Sequence, residues 1–317
     1  MSNKLTTFGQ MAEYWLMNVE GALNTKPSTV QHCKRIRKCL RFLDDRKLKD
    51  INADVIVEYV KHRRATAKSY MDSSCKIEIG RIVEILRLSV AEGYLDYEPM
   101  LKKHPKIKNL FRNTATTTLR NKFLSPEDTQ KLLFTIEGQN IKIPMYLCLY
   151  AGLRISEAIN LRWCDVSVNT ITVSAYVGYE PKTKSGEREI PLNLRLASVL
   201  DDWKTKCNKY RPVKGEDYVC SQDERQNKKY SNSEAQEQVK DVFNTSGLSF
   251  KGRGKSHALR HSYGVRRIVE LNGDVVQLRN ELGHSSIVTT NMYLTEYRRQ
   301  TVVNQILSTD LHACTRA

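Results

Sequence analysis

The strongest constraint on the fold is a change of periodicity part-way along the chain. Up to about residue 104, apolar residues recur at helical spacing, as in Phe8, Met11, Trp15 and Leu16, and again in Ile36, Leu40 and Leu43. Pro27-Ser28-Thr29 predicts a helix start, and Asn52 predicts a cap ahead of Ile56, Tyr59 and Val60. A further helix carries Ile79, Ile82, Val83, Leu86 and Val90 and stops near Gly93. The pattern then breaks into HPKIKNLFRNTATTTLRNK, which is basic, threonine-rich and without sustained period. A chain of 317 residues interrupted in this way predicts two separately cored domains. They are a helical domain over 1–104 and a second domain over 123–300, joined by a basic linker over 105–122 and followed by a tail over 301–317.

The second domain predicts a mainly helical unit with a small antiparallel β-sheet. Ser125 caps a helix whose first turn holds Glu127 and Asp128, and another helix follows Pro144 and ends at Gly152. Thr170 to Ser174 and Glu189 to Leu192 alternate as strands, with a turn-rich segment containing Lys182, Lys184 and Gly186 between them. Helical patterns resume from Ser233 to Phe243 and from His257 onward.

The charge of +16 points to a polyanionic partner, because Lys and Arg that displace counterions gain binding free energy. Lys34, Arg35, Arg37 and Lys38 of the basic run HCKRIRK are candidate nucleic-acid contacts, as are Lys182 and the loop residues Lys251, Arg253 and Lys255. No stretch approaches the roughly eighteen apolar residues of a membrane span. The opening residues lack a signal-peptide pattern, so a cytoplasmic protein is expected. The eight cysteines form no CxxC pair and none has a His at zinc-finger spacing, so neither metal site nor disulfide is expected. Cys148 and Cys164 sit in apolar stretches and are expected in the core.

Four segments carry candidate chemistry. In AGLRISEA, Arg154 falls in the break between two helices, with Ser156 positioned to open the second and Glu157 close enough to brace the guanidinium. At the hairpin tip, Lys184 or Lys182 can deliver a proton to a leaving oxygen. In HALRHS, His257 and Arg260 lie three apart and can meet one phosphate, whereas His261 is expected to face elsewhere. In LGHSSIVTTNMY, Gly283 ends one helix and Tyr293 lies about two turns into the next; Tyr297, one turn further, is the rival nucleophile.

Taken in order, these segments resemble the tyrosine recombinase (phage integrase) family, whose signature is Arg, Lys, His-x-x-Arg, His or Trp, then Tyr. Arg154, Lys184, His257 with Arg260, His284 and Tyr293 fill those positions, and the nine-residue step from His284 to Tyr293 is the family's usual spacing. The likeness extends through GLRISEAINLRW, HALRHSYG and LGHSSIVTTNMY, over about residues 123 to 300, and more loosely over 6 to 100.

The resemblance implies a two-domain clamp on double-stranded DNA, with a helical core-binding domain and an α+β catalytic domain. It also implies site-specific recombination through a 3′-phosphotyrosine on Tyr293. In that scheme Arg154 and Arg260 clamp the non-bridging oxygens, His257 accepts the phenol proton, His284 donates to the phosphate and Lys184 (or Lys182) protonates the 5′ oxygen. No cofactor is expected: the chain has no GxxxxGK[ST] loop and no carboxylate cluster for magnesium. A homotetramer on paired sites is implied, monomeric or dimeric when free, with directionality or host DNA-bending factors as possible partners and the tail docking on a neighbouring protomer. Relaxation of DNA in the manner of a type IB topoisomerase, or non-catalytic DNA binding on the same fold, are the alternatives.

Overall fold

The computed structural model describes residues 5–23, 25–67, 70–111, 123–176, 179, 186–226, 228–248 and 254–299. Its chain divides into two compact units, Met1–Thr116 and Thr117–Ala317.

The first unit is helical. Thr7 caps α1 (Phe8–Gly21), whose backbone Gln10 N–H donates to the Thr7 hydroxyl while Gln10 reaches back to the Thr7 N–H. After α2 (Pro27–Cys39), Asn52 caps α3 (Ala53–Thr66) by accepting from the N–H groups of Asp54 and Val55. The long α4 (Asp72–Ala91) ends where Gly93 turns left-handed, at φ 73°. Phe8, Met11, Leu40, Ile56 and Ile82 are fully buried and form the centre of this unit's core. Among them sits a polar knot in which the Tyr59 hydroxyl and the Arg63 guanidinium both donate to Glu78.

The stretch expected as a linker opens differently. Pro105–Leu110 forms α5, and Ile107 and Phe111 are buried in the first unit's core. Proline at the first helical position and apolar residues at 107, 110 and 111 set one short amphipathic turn that the basic composition had masked. Residues 112–122 lie outside the described residues.

In the second unit, Ser125 caps α6 (Pro126–Ile136) by accepting from Asp128 N–H. The next helix, α7 (Lys142–Tyr150), is buried from Ile143 to Tyr150 and packs against α11 (Lys255–Glu270). A single turn, α8 (Ile155–Ala158), follows the left-handed Gly152. Strands β1 (Thr170–Val173) and β2 (Arg188–Pro191) pair antiparallel with Ile171 opposite Ile190, both fully buried. Helices α9 (Leu194–Asn208), α10 (Asn232–Thr245) and α12 (Val275–Leu282) follow, and α13 runs over 287–299. Cys148 is buried as expected, but Cys164 is exposed, because the tight turn Trp163–Asp165 buries the indole instead. Among the described residues no helix is long and apolar enough to cross a membrane.

Two cores fill this unit. The larger lies under α6, α7 and the sheet, and a smaller one joins Tyr263 and Ile268 of α11 to Leu278, Leu282 and Tyr293. The smaller core brings the HALRHS and LGHSSIVTTNMY segments together.

Candidate active site

The site is built around one buried carboxylate. Gly152 ends α7 at φ 64°, and a Cβ there would stand 2.4 Å from the Tyr263 ring, so both backbone angle and space select glycine. The chain then turns into α8, and Arg154, not Ser156, is the residue that precedes the helix. Its backbone N–H donates to Glu157 Oε2 at 2.8 Å, and its Nη1 donates to Glu157 Oε1 at 2.5 Å. Its Nη2 donates to the Gly283 carbonyl at 3.3 Å. Arg260 comes from α11 with its Nη1 on the Gly152 carbonyl at 2.7 Å and its Nη2 on the Leu282 carbonyl. The same Nη1 stands 3.7 Å from Glu157 Oε2.

A third arginine, absent from the sequence reading, completes the cluster. Arg188 opens β2, and its Nη2 donates to Glu157 Oε2 at 2.8 Å. Its Nε donates to the Glu281 carbonyl at 2.6 Å and its Nη1 to the Gly186 carbonyl at 2.7 Å. Strand β2 is thereby tied to the carboxylate that orients Arg154.

The electrostatics follow. Burial pushes the Glu157 carboxyl up, but the charges of Arg188, Arg260 and Arg154, with the Arg188 hydrogen bond, outweigh it and hold the group at about 2. Burial, reinforced by the charge of Arg154, pulls Arg260 down to about 10 against the opposing pull of Glu157. Both groups stay charged at neutral pH. The arginines thus form a preorganised cationic pocket in which one anion balances part of the charge.

Tyr293 lies against this pocket. Its side chain is only 1% exposed. Its ring rests on Gly264 of α11, where a Cβ would stand 2.6 Å from two ring carbons. Burial pushes the phenol up to about 12 despite the charge of Arg260. The phenol oxygen is 2.7 Å from His261 Nδ1, which overturns the expectation that His261 faces elsewhere. Positions 257, 261 and 264 share one helix face, and the tyrosine ring lies along it. His257, expected as the acceptor of the phenol proton, is exposed on the first turn of α11, and the imidazole in contact with the phenol is that of His261.

His284 follows the left-handed Gly283, at φ 61°, and its Nδ1 is 2.9 Å from the Thr290 hydroxyl. Burial, then the charges of Arg260 and Arg154, lower its imidazole to about 4, so it is neutral at physiological pH. Tyr297 is half-buried elsewhere, packed on Gly273, where a Cβ would stand 2.9 Å from its ring.

Of the candidate nucleic-acid contacts, Lys34, Arg35 and Lys38 are exposed on α2, with Lys34 Nζ 2.9 Å from Glu20. Arg37 is corrected: it is 7% exposed, with Nη1 on Asp44 at 2.8 Å and Nε 2.9 Å from Glu13, so its charge is spent inside the first unit. Lys255 is half-buried at the start of α11, and burial lowers its ammonium. Lys182, Lys184, Lys251 and Arg253, and the tail over 301–317, lie outside the described residues. Of the site residues, Arg188 went unseen in the sequence, and His261 was noted but turned away from the site. His261 had a usable signal, its four-residue spacing from His257. Arg188 had none, because its partner Glu157 is 31 residues away.

Residues 122–299 match the model of the phage integrase family. A tyrosine recombinase of Pseudothermotoga lettingae is 28% identical over 81% of this chain and 82% of its own length. Among solved structures, the Tn1549 transposon integrase in complex with a circular intermediate DNA aligns with a TM-score of 0.72 at 18% identity, covering 94% of this chain and 99% of that one. A lambda integrase tetramer bound to a Holliday junction aligns with a TM-score of 0.65 at 18% identity, covering 90% and 79%.

Proposed function

The chain belongs to the phage integrase family of tyrosine recombinases, enzymes that transfer DNA strands, and we propose that it recombines specific sites by cutting and rejoining each strand through a 3′-phosphotyrosine on Tyr293. The observation that carries this reading is the convergence of Arg154 and Arg260 on one buried carboxylate, with the Tyr293 phenol inside the field of Arg260.

In this mechanism the two guanidinium groups take the non-bridging oxygens of the scissile phosphate, where negative charge accumulates as the phenol attacks. Arginine suits the task because its planar fork meets two oxygens and stays charged. His284, neutral and oriented by Thr290, donates its remaining N–H to the phosphate. When the Thr290 hydroxyl donates to Nδ1, that proton sits on Nε2. His257, exposed one turn before Arg260, is assigned a hydrogen bond to the phosphate. The leaving 5′ oxygen takes a proton from Lys184, or from Lys182 in the alternative register. A phosphotyrosine diester retains the energy of the bond it replaces, so rejoining needs neither ATP nor a metal ion.

The proposed partner is double-stranded DNA, in keeping with the charge of +16. The exposed Lys34, Arg35 and Lys38 suit phosphate contacts by the helical domain. Exchange between two duplexes requires four active sites, and the lambda integrase tetramer on a Holliday junction is the precedent for a tetrameric assembly here. The test is a nicked suicide substrate carrying candidate recombination sites, offered to wild type, Tyr293→Phe and Tyr297→Phe. Loss of the covalent protein–DNA adduct in Tyr293→Phe alone is expected. An adduct that survives in Tyr293→Phe and disappears in Tyr297→Phe overturns the assignment.

A further inference from the structure

We infer that His261, outside the His-x-x-Arg pair, is a catalytic residue that takes the proton from Tyr293 as the phenol attacks and returns it on rejoining. The inference rests on the reading of Tyr293 as nucleophile. Three observations lead to it.

The first is contact. His261 Nδ1 stands 2.7 Å from the phenol oxygen, with ring centroids 5.8 Å apart and the planes tilted by 47°. That is hydrogen-bond distance to the atom that must lose a proton. The second is fixation. The ring of Tyr293 rests on Gly264, three residues on from His261, and the close approach of that glycine sets where the phenol oxygen falls. Any side chain at 264 would lift the ring off α11 and away from the imidazole.

The third is elimination among the neighbouring groups. Arg154, Arg188 and Arg260 are donors and have no lone pair to offer. Glu157 is a carboxylate shared among those arginines and so poor a base that it cannot hold a proton at neutral pH. His284 Nδ1 is engaged with Thr290, and burial, then the surrounding positive charge, weakens it as a base. Of the two imidazoles on α11 that remain, His257 is exposed one turn earlier, and His261 is the one in contact with the phenol.

The step balances as follows. The O–H bond of Tyr293 breaks and its proton passes to the lone pair on His261 Nδ1, with the imidazole's other proton on Nε2. The phenol oxygen forms a bond to phosphorus, the bond from phosphorus to the 5′ oxygen breaks, and that oxygen receives a proton from the general-acid lysine. Rejoining runs the same transfers backwards, so His261 ends the cycle neutral.

The test separates basicity from mere support. In His261→Asn the amide oxygen occupies about the position of Nδ1 and still accepts a hydrogen bond, but it cannot take a proton. His261→Ala removes both properties. Each is made with native Tyr293 and with a ring-fluorinated tyrosine at 293, whose phenol is acidic enough to ionise without help. Adduct formation is then followed in single turnover on the suicide substrate, with DNA affinity measured by gel shift.

With native tyrosine, His261→Asn is expected to lose about 10²–10⁴ in cleavage rate at unchanged DNA affinity. With the fluorinated residue, it is expected to regain the rate of the equally fluorinated wild-type enzyme. Wild-type cleavage by His261→Asn would overturn the inference, and so would an equal loss with both phenols, which marks a structural role. Tyr293→Phe, run alongside, reports separately on the nucleophile: an adduct there refutes the underlying reading, whereas its absence with active His261→Asn refutes this inference alone.

Discussion

Replacing Glu157 by Gln tests whether the arginine cluster is held together by charge. The carboxyl is 3% exposed, and three guanidinium groups lie within 4 Å, at 2.5, 2.8 and 3.7 Å. Its pKa falls from an ordinary 4.5 to about 2, which corresponds to roughly 3 kcal/mol favouring the ionised form in the folded protein. Glutamine keeps the shape and removes the charge, so Glu157→Gln at pH 7 should resemble the wild type with Glu157 protonated. An independent figure agrees: leaving a buried charge without its partner costs about 3–5 kcal/mol. For a unit of this size that amounts to a fall in Tm of roughly 6–20 °C. The pH dependence has a definite sign. A depressed acid stabilises the fold above its unfolded pKa, so wild type should lose this contribution as pH drops from about 4.5 towards 2. The variant lacks that titration, and the two melting curves should converge with falling pH. Calorimetry of both proteins at neutral pH and at pH near 3 measures the difference. If Glu157→Gln melts with the wild type at pH 7, the cluster is not organised by this carboxylate and the reasoning fails.

Three further outcomes are expected. Arg260→Lys keeps the charge but loses the fork that spans the Gly152 and Leu282 carbonyls, and single-turnover cleavage should fall by about 10²–10³ with DNA affinity little changed. Gly264→Ala places a methyl 2.6 Å from the Tyr293 ring, so adduct formation should collapse while circular dichroism shows α11 intact, alanine being the better helix former. The imidazole of His284 should titrate near 4 by NMR in the DNA-free protein; because its folded value lies below the ordinary 6.5, its contribution to stability is complete above that pH and declines as pH falls towards 4, and a midpoint near 6.5 would refute its burial beside the arginines.

How much of this was legible in the sequence depends on the range of the interaction concerned. Caps are local, so Ser125, Asn52 and Gly283 could be assigned from their neighbours alone, and each stands where the pattern put it. Strands β1 and β2 were likewise given by alternation and a turn. Arg154 was legible as the residue in a helix break, and Glu157 as its brace, because three residues separate them. Arg188 was not, since nothing in its own neighbourhood reveals a carboxylate across the fold. Arg37 misled for the converse reason: in a run of four basic residues composition suggests solvent, while its helical phase beside Cys33 and Ile36 turns it inward to Asp44 and Glu13. Composition also hid α5, whose apolar spacing is short and set among lysines. His261 was misplaced because its four-residue spacing from His257 gives the shared face but not which imidazole meets the phenol, and that is decided by the close approach of Tyr293 at Gly264.

Two left-handed glycines beside the site explain why the arginine pair can be rigid before DNA arrives. Gly152 and Gly283 end α7 and α12, and helix C-termini present carbonyl oxygens with no partner inside the helix. Four of the carbonyls at these two ends are taken up by the guanidinium groups of the cluster: Gly152 and Leu282 by Arg260, Gly283 by Arg154 and Glu281 by Arg188. The partial negative charge at each helix end adds to that of Glu157, and three arginines can then be packed together without a bound anion. A carbonyl occupies a guanidinium N–H without cancelling its charge, whereas a second carboxylate would cancel more of the pocket's charge and compete with phosphate. Orientation by backbone and partial neutralisation by a single acid leave the site both ordered and still cationic, which is the condition for stabilising charge that develops only in the transition state.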